Sequence, residues 1–110
     1  MSRELSLSVA TEDGQHVVAA AGELDMDSSP RLLQAIKDAV GAGVGVRLDL
    51  SGVSYIDSSG IAVLIQGLKI ARRASVGYAL VNPAPQVMSV IELSQLRDFF
   101  PIEVADAQDE

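Results

Sequence analysis

The sequence predicts a single α/β domain in which helices pack against a mixed sheet of about five strands. Near the start of the chain, two segments of strand-like periodicity are joined by a tight turn. Beyond this hairpin, helix-like and strand-like segments alternate, which requires parallel crossovers and helices that cover the sheet. With 110 residues, of which 48% are hydrophobic, the chain can form one modest core.

The predicted hairpin is the first element. Residues 5–10 alternate apolar and polar side chains, which is the period of a strand with one buried face. Asp13 and Gly14 favour a tight turn, and residues 16–22 form a second apolar strand. The two segments are therefore expected to pair as antiparallel neighbours.

Helices and strands then alternate along the chain. Pro30 suits the first turn of a helix that ends near Gly41. A strand over residues 44–50 is expected to lead through a glycine turn into a second helix, residues 58–74. Apolar residues recur on one face of that helix at the spacing of a buried stripe. Three residues are expected in the core: Leu48, Ile65 and Leu68.

The last third of the chain predicts a shorter strand, helix and strand. Residues 77–81 contain no charges, which is typical of a strand covered on both faces. Pro83 and Pro85 end this strand, and an amphipathic helix follows over residues 84–91. Residues 99–104 predict a final strand, which its proline would confine to the edge of the sheet.

Composition excludes several function classes. The net charge of −7, with no basic cluster beyond Arg72 and Arg73, argues against direct nucleic-acid binding. The chain has no cysteine, which excludes disulfides and thiolate metal sites and fits a reducing compartment. No apolar run approaches the roughly 20 residues needed to span a bilayer, and no signal peptide is evident. We therefore expect a cytoplasmic protein without membrane insertion.

The most informative segment is residues 46–60, where a strand leads to Asp57, Ser58 and Ser59 at the start of a helix. Asp57 suits the N-cap, which would present the Ser58 hydroxyl to solvent. Backbone N–H groups at a helix start carry partial positive charge. We therefore expect Ser58 to tolerate an added phosphate.

The same segment carries a family resemblance. Residues 48–61, LDLSGVSYIDSSGI, resemble the signature of the STAS domain, and in particular that of bacterial anti-sigma factor antagonists. Residues 22–25, GELD, are similar to the family's other recurrent segment, and the resemblance extends from about Leu5 to Phe100. It implies a STAS-like single domain over residues 1–104. Residues 105–110 would be an acidic tail, expected to be disordered.

The resemblance also implies a function. Ser58 matches the residue that is phosphorylated in anti-sigma factor antagonists, and Asp25 falls where the family contacts its partner kinase. Gly60 would keep the approach to Ser58 and Ser59 open. The implied partner is an anti-sigma factor with a serine-kinase fold that binds ATP, while a phosphatase would restore Ser58. The expected partner-binding residues are Glu23, Asp25, Asp57, Ser58, Ser59 and Gly60.

An enzymatic role is not expected. A serine nucleophile at such a turn needs glycine two residues earlier, where this chain has Ile56, and a histidine base later in the sequence. The only histidine, His16, lies in the first hairpin. The sequence also shows no metal-ligand set and no glycine-rich loop followed by lysine. We therefore expect no catalytic residue, metal or cofactor in this chain.

Two alternatives remain open at the level of sequence. STAS domains also serve as cytoplasmic subunits of lipid-trafficking ABC transporters, where phosphorylation is not needed. Residues 61–63 read Ile-Ala-Val where antagonists often have Leu-Gly-Val. A third possibility, a scaffold component of a signalling assembly, would predict stable homo-oligomers.

Overall fold

The computed structural model describes residues 4–104. The predicted tail, residues 105–110, therefore lies outside the described residues. Within residues 4–104, the chain forms five strands and three helices, which confirms the predicted mixed α/β fold. The elements are β1 (Ser6–Glu12), β2 (Gln15–Leu24), α1 (Ser29–Gly41), β3 (Gly45–Ile56), α2 (Ser58–Arg73), β4 (Tyr78–Val81), α3 (Pro85–Leu93) and β5 (Ile102–Glu103).

The five strands lie in the sheet in their chain order, β1 to β5. β1 and β2 pair antiparallel through the predicted two-residue turn, in which Asp13 and Gly14 both have positive φ, 52° and 76°. This turn matches the right-handed twist of the flanking strands. The other neighbours pair parallel, so the carboxyl ends of β2 and β3 lie at the same end of the sheet.

The glycine turn expected after residue 50 is wrong, because β3 continues through Gly52 to Ile56. Gly52 lies directly against Ala21 of β2, where an added Cβ would be 2.9 Å from the Ala21 Cβ. Glycine therefore permits a close approach of two strands at this position, and the pairing register shifts nearby. Val53 and Ile56 are buried, which holds the extension of β3 on the core.

The core lies between the sheet and the helices. Leu48 and Leu68 are buried as predicted, but Ile65 is only partly buried and packs at the margin of the core. The buried row of α2 is centred on Leu64, Leu68 and Ala71, and Ile65 lies about 100° around the helix from Leu64.

No helix within residues 4–104 is long and apolar enough to cross a membrane.

Tyr78 of β4 connects this strand to α2 through a buried hydrogen bond. Tyr78 is buried, and its hydroxyl donates a hydrogen bond to the Leu64 carbonyl at 2.8 Å. Gly67 makes room for the ring, since a Cβ there would be 2.7 Å from the Tyr78 hydroxyl. Burial raises the pKa of the Tyr78 phenol, so the group stays a neutral hydrogen-bond donor.

The final strand is shorter than residues 99–104, because only Ile102–Glu103 pairs with β4. Its position at the edge of the sheet is confirmed. Pro101 has no N–H to donate, and its carbonyl accepts from the Leu80 N–H at 2.9 Å. β4 matches the prediction of a covered strand, since three of its four residues are buried.

Candidate functional site

The candidate site lies where β2 and β3 end. Glu23 pairs in register with Tyr55, and Leu24 pairs with Ile56. Just beyond, the Asp57 N–H donates to the Leu24 carbonyl at 3.3 Å. The fold thus brings together the two segments that the sequence analysis selected, the loop after β2 and the start of α2.

Asp57 caps α2. Its backbone is extended, with φ −116° and ψ −170°, and its Oδ1 accepts hydrogen bonds from the N–H groups of Ser59 at 2.9 Å and Gly60 at 3.2 Å. The predicted N-cap is therefore confirmed, and a cap of this kind contributes about 1 kcal/mol to stability. Ser58, the first residue of the helix, is exposed, and Ser59 is half-buried.

The Asp57 cap determines which hydrogen-bond donors and charges would surround a phosphate on Ser58. The Asp57 carboxylate already occupies the Ser59 and Gly60 N–H groups, and the Ile61 N–H bonds the Asp57 carbonyl at 3.1 Å. A phosphate would therefore find these donors engaged and a carboxylate beside it. The Asp57 carboxylate therefore opposes the favourable field expected from the helix start.

Gly60 has a different role from the one expected. It is buried, and a Cβ there would be 2.7 Å from the Ile56 side chain and 3.0 Å from the Leu24 carbonyl. Glycine at this position lets the first turn of α2 pack onto the ends of β2 and β3. Gly60 is therefore a packing residue, and the open approach to the serines does not depend on it.

Asp25 organises the loop between β2 and α1. Its Oδ1 accepts from the N–H groups of Asp27 and Ser28, both at 3.0 Å. The Ser28 hydroxyl donates to the Glu23 carbonyl at 2.8 Å and accepts from the Asp25 N–H at 3.0 Å. Sequence reasoning missed the buried Ser28, although a serine three residues after an aspartate and just before a helix is a signal for such a turn.

An acidic cleft of about 420 Å³ opens beside this loop. Its wall includes the side chains of Glu4, Glu23, Asp25, Asp27 and Arg31. The guanidinium of Arg31 donates to the Leu5 carbonyl at 2.6 Å, so its position is fixed by the backbone of the hairpin. Carboxylates outnumber the cation, and the cleft therefore favours a cationic group. Among residues 4–104, no group of three or more His, Cys, Asp or Glu could hold a metal ion.

Two large apolar side chains are exposed next to these residues. Met26, in the loop after β2, is 72% exposed, and Tyr55, near the end of β3, is 49% exposed. Sequence reasoning missed both: the strand was expected to end at residue 50, before Tyr55, and no local pattern indicates that Met26 is exposed. We use the term serine edge for Glu23, Asp25, Met26, Tyr55, Asp57, Ser58 and Ser59.

The geometry gives Ser58 no histidine base. His16 lies beside Val46, at the opposite end of β3 from Ile56. Ten residues of strand separate the two ends, a distance of about 30 Å. Ser58 therefore has no histidine within reach to act as its general base.

Comparisons with known proteins match nearly the whole chain. The family model described as Mlab, STAS domain, matches residues 7–102. An anti-sigma-B factor antagonist from Listeria monocytogenes is 28% identical over 106 residues, which cover 94% of this chain and 93% of that protein.

Solved structures also match nearly the whole chain. An anti-sigma factor antagonist from Mycobacterium paratuberculosis is 28% identical, with a TM-score of 0.82 over 94% of this chain and 88% of that chain. The Bacillus cell fate determinant SpoIIAA in its phosphorylated form has a TM-score of 0.70 and is 20% identical, over 91% of each chain. At that identity, the second likeness shows the fold alone.

Proposed function

The chain belongs to the STAS domain family, and from this premise we propose that it is an anti-sigma factor antagonist switched off by phosphorylation of Ser58. The observation that carries the proposal is the exposed Ser58 hydroxyl, held at the first residue of α2 by the Asp57 cap. Relatives of matching length that are 28% identical are named as anti-sigma factor antagonists. SpoIIAA has been solved in a phosphorylated form, so this fold can carry a phosphate.

The proposed partner is an anti-sigma factor with a serine-kinase fold. Unphosphorylated, the chain binds this protein in the cytoplasm and thereby frees a sigma factor. The partner supplies the ATP, phosphorylates Ser58 and so ends the antagonism, and a phosphatase restores the active form. In this proposal the chain acts by binding and catalyses no reaction, in keeping with a serine whose one candidate histidine lies at the other end of β3.

The serine edge provides both kinds of contact that such an interface needs. Met26 and Tyr55 are exposed, largely apolar side chains, and methionine and tyrosine are enriched at protein interfaces. The acidic cleft containing Glu23 and Asp25 would receive a cationic side chain of the partner. Gly60 is not part of this surface, because it is buried.

We expect Asp25→Asn and Met26→Ala each to weaken partner binding about tenfold, equivalent to about 1.4 kcal/mol. Asparagine keeps a carbonyl oxygen for the N–H groups of Asp27 and Ser28, whereas alanine would remove the acceptor of the turn. The change to asparagine therefore tests the charge with little effect on the fold. Isothermal titration calorimetry with the partner gives the affinities.

Leu93→Ala is the matched control for these variants. Leu93 is 85% exposed on α3, outside the serine edge, and its truncation should leave the affinity unchanged. Thermal unfolding of all three variants should stay close to that of the wild type. If Asp25→Asn and Met26→Ala both bind as tightly as Leu93→Ala, the interface lies elsewhere.

Phosphate mapping tests the function itself. We expect the cognate kinase and ATP to add one phosphate, which mass spectrometry locates on Ser58. Ser59→Ala should still be phosphorylated, whereas Ser58→Ala should not, because Ser58 is exposed and Ser59 is half-buried. Phosphate on Ser59 alone, or on neither serine, would contradict the proposal and favour a transporter-subunit role.

A further inference from the structure

The two edges of the sheet differ in how well they are protected from pairing. Proteins usually prevent exposed edge strands from pairing with other chains by keeping the strands very short or by placing proline or charged side chains in them. β5 has two residues and follows Pro101, which lacks an N–H. β1 has seven residues, contains no proline or lysine, and carries its only charge, Glu12, at its end. β1 therefore remains competent to pair.

The hairpin turn determines which backbone groups of β1 are available. A two-residue turn makes Glu12 and Gln15 a hydrogen-bonded pair, and such pairs recur at every second residue along the hairpin. The intervening residues point their N–H and C=O groups away from β2. These residues are Leu5, Leu7, Val9 and Thr11.

One of these outward groups already has a partner. The Leu5 carbonyl accepts from Arg31 of α1, which agrees with the outward direction assigned to it. Within residues 4–104, no hydrogen bond outside the β2 ladder reaches Leu7, Val9 or Thr11. Val9 is also 55% exposed, so its side chain is open to solvent together with its backbone.

We propose that β1 pairs antiparallel with β1 of a second copy of this chain, about a two-fold axis that passes beside Val9. In this register, Val9 lies opposite Val9 of the second copy, and Leu7 lies opposite Thr11. Leu7, Val9 and Thr11 are the three outward-facing residues that no hydrogen bond outside the β2 ladder reaches in the described part of the chain, so their N–H and C=O groups can bond to one another across the axis. The result is a continuous sheet through two protomers.

The side chains of β1 favour a second copy as the occupant. Val9 meets Val9, a β-branched pair that stabilises neighbouring strands, and Leu7 meets the methyl group of Thr11. On the other face, Ser8 meets Ala10 and Ser6 meets Glu12, so no two like charges are opposed. β1 is thus complementary to itself about its central residue.

The dimer is expected to be weak and to depend on salt. A seven-residue edge with mostly small side chains buries little area, which is typical of transient interfaces. Each copy carries a net charge of −7, and their repulsion is reduced when salt screens it. The interface is separate from the serine edge, which lies at the ends of β2 and β3, so both copies of Ser58 stay accessible.

Single cysteines give a sharp test, because the chain has none of its own. In the proposed pairing, the Val9 Cα atoms lie about 5.5 Å apart, within the range that a disulfide spans. We expect Val9→Cys to form a disulfide-linked dimer under mild oxidation. Thr11→Cys is the matched control: the two Thr11 positions are offset by four residues, about 13 Å, and should not cross-link.

The unmodified chain provides the second measurement. Sedimentation velocity over a concentration series should show a reversible monomer–dimer equilibrium that shifts towards dimer at higher salt. Val9→Lys, which opposes two ammonium groups at the axis, should weaken dimerisation at least tenfold, and Val9→Thr should retain it. Circular dichroism confirms that each variant is folded. A monomer at every concentration, or equal cross-linking of Val9→Cys and Thr11→Cys, would overturn the proposal.

Discussion

Leu68→Ala is expected to lower the free energy of unfolding by about 2 to 5 kcal/mol. Leu68 is 2% exposed in the buried row of α2, and this helix packs against both α1 and the sheet. Truncation removes buried methyl groups and leaves a cavity that a close-packed core fills only in part. Urea unfolding followed by circular dichroism measures the change as a lower midpoint with an unaltered slope.

The matched control is Leu93→Ala, the same substitution at an exposed position. With 85% of its surface exposed, Leu93 should contribute less than about 0.5 kcal/mol. Equal midpoints for the two variants would show that Leu68 is not part of the core. The assigned face of α2, and with it the presentation of Ser58, would then be wrong.

Features of the fold that depend on periodicity were predictable from the sequence. The spacing of apolar residues located all three helices and placed Leu48 and Leu68 in the core, because a helix or strand shows its buried face in its own sequence. Ile65 shows the limit of this reasoning. Its spacing fits the stripe almost as well as that of Leu64, and only the position of the neighbouring elements decides which residue is central.

Glycines were interpreted less well. Gly52 was expected to end a strand and Gly60 to keep a surface open, since glycine is common in turns and at sites of close approach. Both instead allow tight packing against β2, Gly52 against Ala21 and Gly60 against Leu24. Those contacts join residues more than 30 positions apart, which one sequence without relatives does not reveal.

In the candidate site, too, local features were predictable from the sequence and long-range contacts were not. The Asp57 cap and the exposure of Ser58 follow from adjacent residues, and the sequence predicted both. The contribution of Met26 and Tyr55 to the serine edge, and the role of Ser28 in holding Asp25, depend on which loops meet when the parallel strands end together. Local signals therefore predicted the cap and the exposure of Ser58, but not the residues that surround it.

Phosphorylation of Ser58 is expected to weaken binding to the anti-sigma factor about a hundredfold or more. The phosphate adds about −1.5 to −2 charges at pH 7. It does so beside Asp57, whose carboxylate already engages the N–H groups of Ser59 and Gly60. In the complex, a surface shaped for a hydroxyl would bury an uncompensated charge at a cost of several kcal/mol, and each 1.4 kcal/mol is a tenfold loss of affinity.

The same argument predicts that the free domain stays folded, because Ser58 is exposed and the cap of α2 belongs to Asp57. Calorimetric titration of the partner with the phosphorylated and unphosphorylated chains measures the loss of affinity. Ser58→Ala should bind constitutively, with ATP present or absent, and Ser58→Asp should bind weakly. Ser59→Ala is the control and should keep the full phosphorylation-dependent change. Equal affinities for the two forms, with circular dichroism showing both folded, would mean that Ser58 lies outside the interface and that its phosphorylation is not the switch.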